Sequence, residues 1–210
     1  MKFIDRKELY DGLAVNENLE VKTVKVEDME YLFIENFLKD IDKAKSILDN
    51  YPAINGGVYT PGARQNFTSM DLVPIVSAYG QLLEKDPTKF LTSSIIVRKG
   101  MKVWDNSWMP HTDFGTVCNL WLNDYNGGTA FYRHKKETPP KNMTFNKKNL
   151  VDWKSFEGNE DWELFHIIPS KKNTLAIYDG TKYHGAYTTL TEETRWSLIS
   201  FYQEGDRTYQ

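Results

Sequence analysis

Residues 111–134, HTDFGTVCNLWLNDYNGGTAFYRH, decide the fold. They hold two runs rich in β-branched and aromatic residues, 116–122 and 129–134, divided by an Asn-, Asp- and Gly-rich turn at 123–128. Such runs suit a pleated, half-buried surface, and the turn residues supply the backbone freedom that a reversal needs. The same pattern recurs at 94–98, 164–168, 174–178 and 194–202, so the second half of the chain reads as short strands.

Upstream the pattern is mixed. Residues 19–26 alternate and 31–34 form a second apolar run, and both read as strands. Asp40 heads a segment whose Ile41, Ala44, Ile47 and Leu48 fall at helical spacing, ending at Tyr51-Pro52 because the residue before proline disfavours helix. Residues 71–84 predict a second helix that buries Leu72, Ile75, Val76, Tyr79, Leu82 and Leu83. Its Pro74 is tolerated in the first turn, where no intrahelical donor is lost. Between the helices, 55–66 (NGGVYTPGARQN) reads as turns. Helical elements followed by many short strands predict an α+β chain around a sandwich or barrel of antiparallel strands. The expected organisation is a single domain over 1–210. Strands and supporting helices fill 1–92, the barrel fills 93–203, and a long excursion at about 135–161 crosses the barrel mouth.

Composition narrows the classes. The chain has 210 residues, 40% hydrophobic and 26% charged, which supports a packed core rather than disorder. Its net charge of −3 gives no basic field for nucleic acid, so no nucleic-acid partner is expected. The lone cysteine, Cys118, excludes an internal disulfide and a cysteine-rich zinc site, and a reducing compartment is the simplest setting. No apolar stretch approaches the length of a membrane span, and the charged N-terminus lacks the apolar core of a signal peptide. A cytoplasmic protein with no membrane partner is the expectation.

The chemistry rests on few residues. Of four histidines, His111 stands two residues before Asp113, so on an extended segment both side chains share a face. With His184 arriving from a later strand, the set makes a two-histidine, one-carboxylate facial triad, which leaves open positions on Fe(II). Eleven residues after His184 comes Arg195-Trp196-Ser197, where Arg195 and Ser197 alternate onto one face of an otherwise apolar strand. An arginine in such a strand is costly unless it meets an anion, and a planar fork beside a hydroxyl suits a carboxylate.

These residues resemble the 2-oxoglutarate- and Fe(II)-dependent oxygenases. Cys118-Asn119-Leu120-Trp121-Leu122-Asn123, followed by Gly127-Gly128-Thr129-Ala130-Phe131, is similar to the second and third core strands of their prolyl-hydroxylase branch. The block from Gly128 to His134 resembles a group of bacterial and phage members, as do Phe33-Ile34-Glu35-Asn36-Phe37-Leu38 and the turn Thr60-Pro61-Gly62-Ala63-Arg64. The resemblance runs from about residue 30 to 203. It implies a double-stranded β-helix (a cupin-like jelly roll) flanked by N-terminal helices, with His111, Asp113 and His184 on iron. It also implies Arg195 and Ser197 on the distal carboxylate of 2-oxoglutarate, with O2 as the oxidant and succinate and CO2 as by-products. Retention of Asp113 implies hydroxylation rather than halogenation. At the position of Trp121 the prolyl-hydroxylase branch carries a tyrosine whose hydroxyl reaches the cosubstrate. Here Trp121 offers only an indole N–H, displaced from that hydroxyl, so either it closes the cosubstrate pocket sterically or another tyrosine compensates.

The implied substrate is a small molecule, an amino acid or a protein side chain. A metalloenzyme with the same triad but no 2-oxoglutarate, and a catalytically silent jelly-roll binding module, are the alternatives. Other residues read less sharply. Tyr132 and His134 alternate with Arg133, so one set lines the site mouth or the strand simply emerges to solvent. Arg64 reads first as a surface arginine and second as a partner for a substrate carboxylate. His166 reads as a paired core histidine. The six basic residues within 133–148, and Trp104, Trp108, Trp153 and Trp162, are candidate substrate contacts beside their plainer roles in solvation and packing.

Overall fold

The computed structural model describes residues 5–55, 63–97, 102–104, 109–136, 150–152, 154–188 and 194–202. The chain starts with helix α1 (Arg6–Gly12) and the hairpin β1 (Val21–Val26) and β2 (Met29–Glu35). Helix α2 (Ile41–Leu48) follows, begun by Asp40, whose carboxylate accepts the amide N–H of Lys43 at 2.9 Å. Strands β3 (Ile54–Asn55) and β4 (Ala63–Phe67) lead to α3 (Val73–Leu83), with proline in its first turn, and a short 3-10 turn (Pro87–Lys89). The remainder is strand: β5 (Phe90–Val97), β6 (Lys102–Trp104), β7 (Thr116–Trp121), β8 (Gly127–His134), β9 (Leu150–Asp152), β10 (Trp162–Pro169), β11 (Thr174–Asp179), β12 (His184–Thr188) and β13 (Arg195–Tyr202).

Every strand pair is antiparallel. An eight-stranded sheet runs in the order β1-β2-β11-β7-β13-β5-β4-β3 and faces a three-stranded sheet ordered β10-β8-β12; β6 and β9 pair separately. The residue His111 extends the small sheet by bridging His184 beyond β12. This is the two-sheet double-stranded β-helix that the sequence resemblance implies, with helices on one side. Several elements depart from expectation: α1, β3, β6 and β9 were not foreseen, and the β4–β5 pair differs in kind and extent. Residues 55–66 were expected to turn, yet Ala63–Phe67 pairs with β5, and β5 itself begins at Phe90 rather than 94. Edge pairing to β5 overrides the weak local propensity of Ala-Arg-Gln-Asn-Phe. Among the described residues, no helix is long and apolar enough to cross a membrane.

Strict alternation gives the large sheet two faces. Outward, Ile34, Leu120, Leu175, Trp196 and Leu198 pack against Leu48, Leu72, Ile75 and Tyr79 of the helical layer. Inward, Tyr31, Val117, Trp121, Ala176, Tyr178 and Ile199 meet Phe131 and Ile168 of the small sheet. A third cluster, with Tyr132, Phe156 and Trp162, covers the outside of the small sheet. Gly128 permits close approach at the start of β8, since a Cβ there would stand 1.9 Å from the carbonyl oxygen of Ile168.

Candidate metal and carboxylate site

Three side chains meet at one end of the cleft between the sheets. His111 and His184 exchange both backbone hydrogen bonds, at 2.9 Å each, so residues 73 positions apart in sequence are held side by side. Asp113 is fixed by its N–H to the carbonyl of Gly180 at 2.7 Å. Position 180 requires glycine, because a Cβ would stand 2.7 Å from Val117 Cγ2 and 3.2 Å from Asp113 Cβ. The donor atoms of His111, Asp113 and His184 all lie within 4.8 Å of one another.

The hydrogen-bond pattern fits a cation. Nδ1 of His184 lies 2.9 Å from the carbonyl oxygen of Lys182, which can only accept, so the proton belongs on Nδ1. The other ring nitrogen, Nε2, faces Asp113 Oδ2 at 3.0 Å. A ring nitrogen and a carboxylate oxygen at this distance share either a proton or a metal ion. Cis ligands about 2.1 Å from an octahedral ion stand about 3 Å apart, so this spacing matches. His111 Nε2 is 3.9 Å from the same oxygen, on the open side of the site. Desolvation by the surrounding protein and the neighbouring His184 lower its pKa to about 4, although the ring still opens to solvent. It is therefore neutral, as a ligand must be, at ordinary pH. Burial pushes the Asp113 carboxyl up, but the His184 hydrogen bond and the nearby charges outweigh it and hold the group ionised below its usual range.

Deeper in the cleft lies a second polar group. Thr174, Trp121 and Ser197 are register partners across β11, β7 and β13, all on the inward face. Thr174 Oγ1, Trp121 Nε1 and Ser197 Oγ are buried and have no hydrogen-bond partner, as is Asn119 Oδ1 in the neighbouring row. Beyond Ser197 on the same strand, Arg195 is only 2% exposed. Its Nε donates to the hydroxyl of Tyr125 at 2.9 Å, and among the described residues no carboxylate pairs with it. A buried guanidinium that no described carboxylate pairs, beside a row of buried polar atoms without partners, is an arrangement that an anionic, hydrogen-bonding group would complete.

The fold thus brings together all six residues singled out in the sequence: His111, Asp113 and His184 at the mouth, and Arg195, Ser197 and Trp121 within. Sequence reading missed Tyr125, which sits in the 123–128 turn and brings its hydroxyl to Arg195. Burial raises its phenol pKa, opposed by Arg195 and, more weakly, by the nearby Trp121 N–H, which lacks hydrogen-bond geometry. It also missed Thr174 and Tyr178, although the alternation Thr174-Ala176-Tyr178 marks an inward face. Tyr178 lies edge-on to His184, with ring centroids 5.2 Å apart.

Several weaker candidates fall elsewhere. Tyr132 points to the outer side of the small sheet, donating to the carbonyl of Phe156, and His134 packs edge-on against Trp162 on that side. Neither lines the cleft. Arg133, on the opposite face, pairs with Glu27 and with Asp28 at 2.8 Å, joining the small sheet to the β1–β2 turn. His166 lies 3.3 Å from the Tyr31 hydroxyl. Arg64 is partly buried on a strand, not a surface turn residue. Trp108, Trp153, Lys141, Lys147, Lys148 and the side chain of Trp104 lie outside the described residues.

No protein-family model matches the sequence, and no curated protein matches it. Solved structures do. A prolyl-4-hydroxylase from Pseudomonas putida superposes with a TM-score of 0.52 at 13% identity, over 83% of this chain and 93% of its own. EvdO2 from Micromonospora carbonacea var. aurantiaca gives 0.51 at 9% identity, over 95% and 90%. A Burkholderia pseudomallei oxidoreductase of the 2OG-Fe(II) oxygenase family gives 0.49 at 10% identity, over 82% and 84%. What the chain shares with the first two is their fold, the same double-stranded β-helix built on a different sequence.

Proposed function

We propose that the chain is an Fe(II)- and 2-oxoglutarate-dependent dioxygenase of the prolyl-hydroxylase-like branch, hydroxylating an unactivated carbon of an amino acid, a protein side chain or a small molecule. The balanced reaction consumes the C–H compound, O2 and 2-oxoglutarate and yields the alcohol, succinate and CO2. The observation that carries this reading is the pairing of two sites in one cleft: three convergent metal donors at the mouth, and further in a buried arginine that no carboxylate among the described residues pairs.

In this reading His111, Asp113 and His184 hold the ion on one face and leave the opposite positions open. Iron bound there would supply the oxygen chemistry, and the protein's part is to hold, orient and exclude water. Arg195, with Tyr125 fixing its Nε, takes the distal carboxylate of 2-oxoglutarate. Ser197 Oγ donates to the same carboxylate, and the Trp121 indole closes the pocket beside it. Tyr178 and Phe131 wall His184, keeping bulk water from the inner side of the site. The unpaired Arg195 weighs against a metalloenzyme that does without the cosubstrate.

The test is spectroscopic. Adding Fe(II) and 2-oxoglutarate without oxygen should give the weak visible charge-transfer band of the chelate. The band should vanish in His111→Ala, and in Arg195→Ala it should require far more 2-oxoglutarate at unchanged iron affinity. A band absent from the unmutated protein, or undiminished in His111→Ala, would refute the assignment. An untargeted screen for products about 16 daltons heavier, dependent on 2-oxoglutarate, would then find the substrate.

A further inference from the structure

A second arginine faces the cleft. The register of β4, β5 and β13 sets Arg64 opposite Ile95, and Ile95 opposite Ser197, so Arg64 shares the inward face of the sheet. Its Cα stands two strands from Ser197, about 10 Å away. Its Nη1 reaches Ser93 Oγ at 3.4 Å, and Ser93 is the partner of Ile199, one row nearer the triad. The side chain therefore runs along the inner wall from the cosubstrate end toward the metal end. It lies within electrostatic reach of two of the three residues there: Asp113 favours its charge, and it disfavours charge on His111.

Arg64 is also unfinished. Its Nε is buried without a partner, and among the described residues no carboxylate forms an ion pair with it. Burial lowers its pKa, the mark of a cation that has lost water and gained little in return. Among the described residues that face the cleft, a count of charge shows what is missing. Ferrous iron and Arg195 are balanced by Asp113 and the two carboxylates of 2-oxoglutarate. Arg64 leaves one positive charge over in a partly desolvated cleft, and one monoanionic group would cancel it.

We infer that Arg64 anchors a carboxylate of the primary substrate, and that the substrate class is a small carboxylic acid, free amino acids included, clamped on β4 with its reacting C–H turned to the triad. This rests on 2-oxoglutarate occupying the Arg195 end. The cosubstrate's own metal-side carboxylate is the rival occupant, and it is disfavoured because the metal already neutralises that group.

The experiment uses the full chain loaded with Mn(II) and 2-oxoglutarate under nitrogen, so that binding is read without turnover. It is titrated calorimetrically with each of the twenty proteinogenic amino acids, then with the primary amide of any that binds. At least one acid should bind, and its amide should not. Arg64→Gln should weaken the acid by about 10- to 100-fold, the loss of a charge-assisted contact, and Arg64→Lys should recover part of it. The affinity of Arg64→Gln for 2-oxoglutarate should stay within about twofold of the unmutated protein, which also shows that the variant is folded. Binding of no acid, equal binding of acid and amide, or a loss of 2-oxoglutarate in Arg64→Gln as large as in Arg195→Gln would overturn the inference, the last by giving Arg64 to the cosubstrate. Failure of the unmutated protein to take up 2-oxoglutarate is a different result, and it would remove the oxygenase reading as well.

Discussion

The two faces of the large sheet are built from the same strands and treat polar groups in opposite ways. On the outer face, Ser94 Oγ donates to Gln65 Oε1 at 2.7 Å, Gln65 Nε2 donates to the carbonyls of Leu48 and Tyr51, and Thr92 and Ser200 bond each other at 2.8 Å. The Tyr79 hydroxyl, from the helical layer, is the one buried orphan on that side among the described residues. On the inner face, Thr174, Trp121, Asn119, Ser197 and Arg64 each keep an unpartnered atom. The sharpest pair is Trp196 and Trp121, on neighbouring strands: the outer indole donates to Ser94 Oγ at 3.2 Å and the inner one donates to nothing. Leaving a buried polar group unpaired costs about 1–3 kcal/mol, so the inner face holds stability in reserve for a ligand. One face is finished by folding and the other by binding.

That contrast is open to test by substitution. The largest effect belongs to the outer face: Leu120→Ala, at a fully buried position, should lower stability by about 2–5 kcal/mol in denaturant melts. An equal loss of 2-oxoglutarate affinity in the surviving folded protein would blur the distinction between the faces. Next, Arg195→Gln should leave Leu120-type stability intact yet weaken 2-oxoglutarate by about 10- to 100-fold in calorimetry. Third, Trp196→Phe and Trp121→Phe open similar cavities, so their difference isolates the N–H. The outer variant should be the less stable by about 1 kcal/mol, and a reversed order would break the comparison. Smallest, Ser197→Ala should change stability by less than about 0.5 kcal/mol, since it removes an orphan, while raising the 2-oxoglutarate requirement several-fold. As a control, the Cys118 thiol, pushed up by burial against the helices, should resist alkylation until the protein unfolds.

The sequence was readable where one residue's neighbours along the chain decide its role. Helix α2 announced itself through Asp40 and its apolar spacing, and the inward alternation of Arg195 and Ser197 followed from the period of a strand. The triad was legible because two of its members lie two apart and histidine is scarce. Tyr125 was not, because its role depends on a loop folding back over a strand 70 residues later, and no periodicity marks that. Arg64 was misplaced for a related reason. Its strand exists through pairing with β5, and nothing in Ala-Arg-Gln-Asn-Phe demands an extended backbone without that edge.

The reciprocal backbone bonds between His111 and His184 carry a consequence for how the ion comes and goes. Both residues share one ladder rung, so the sheet itself sets the spacing of their backbones, and on the proposed reading an ion would not have to bring them together. Loading is then a docking event rather than a folding event, and it should leave the far-ultraviolet dichroism unchanged. Exchange is set by ligand substitution at the open mouth, not by the lifetime of the sandwich. On that reading, a spent or wrong ion would be replaced without the protein having to come apart.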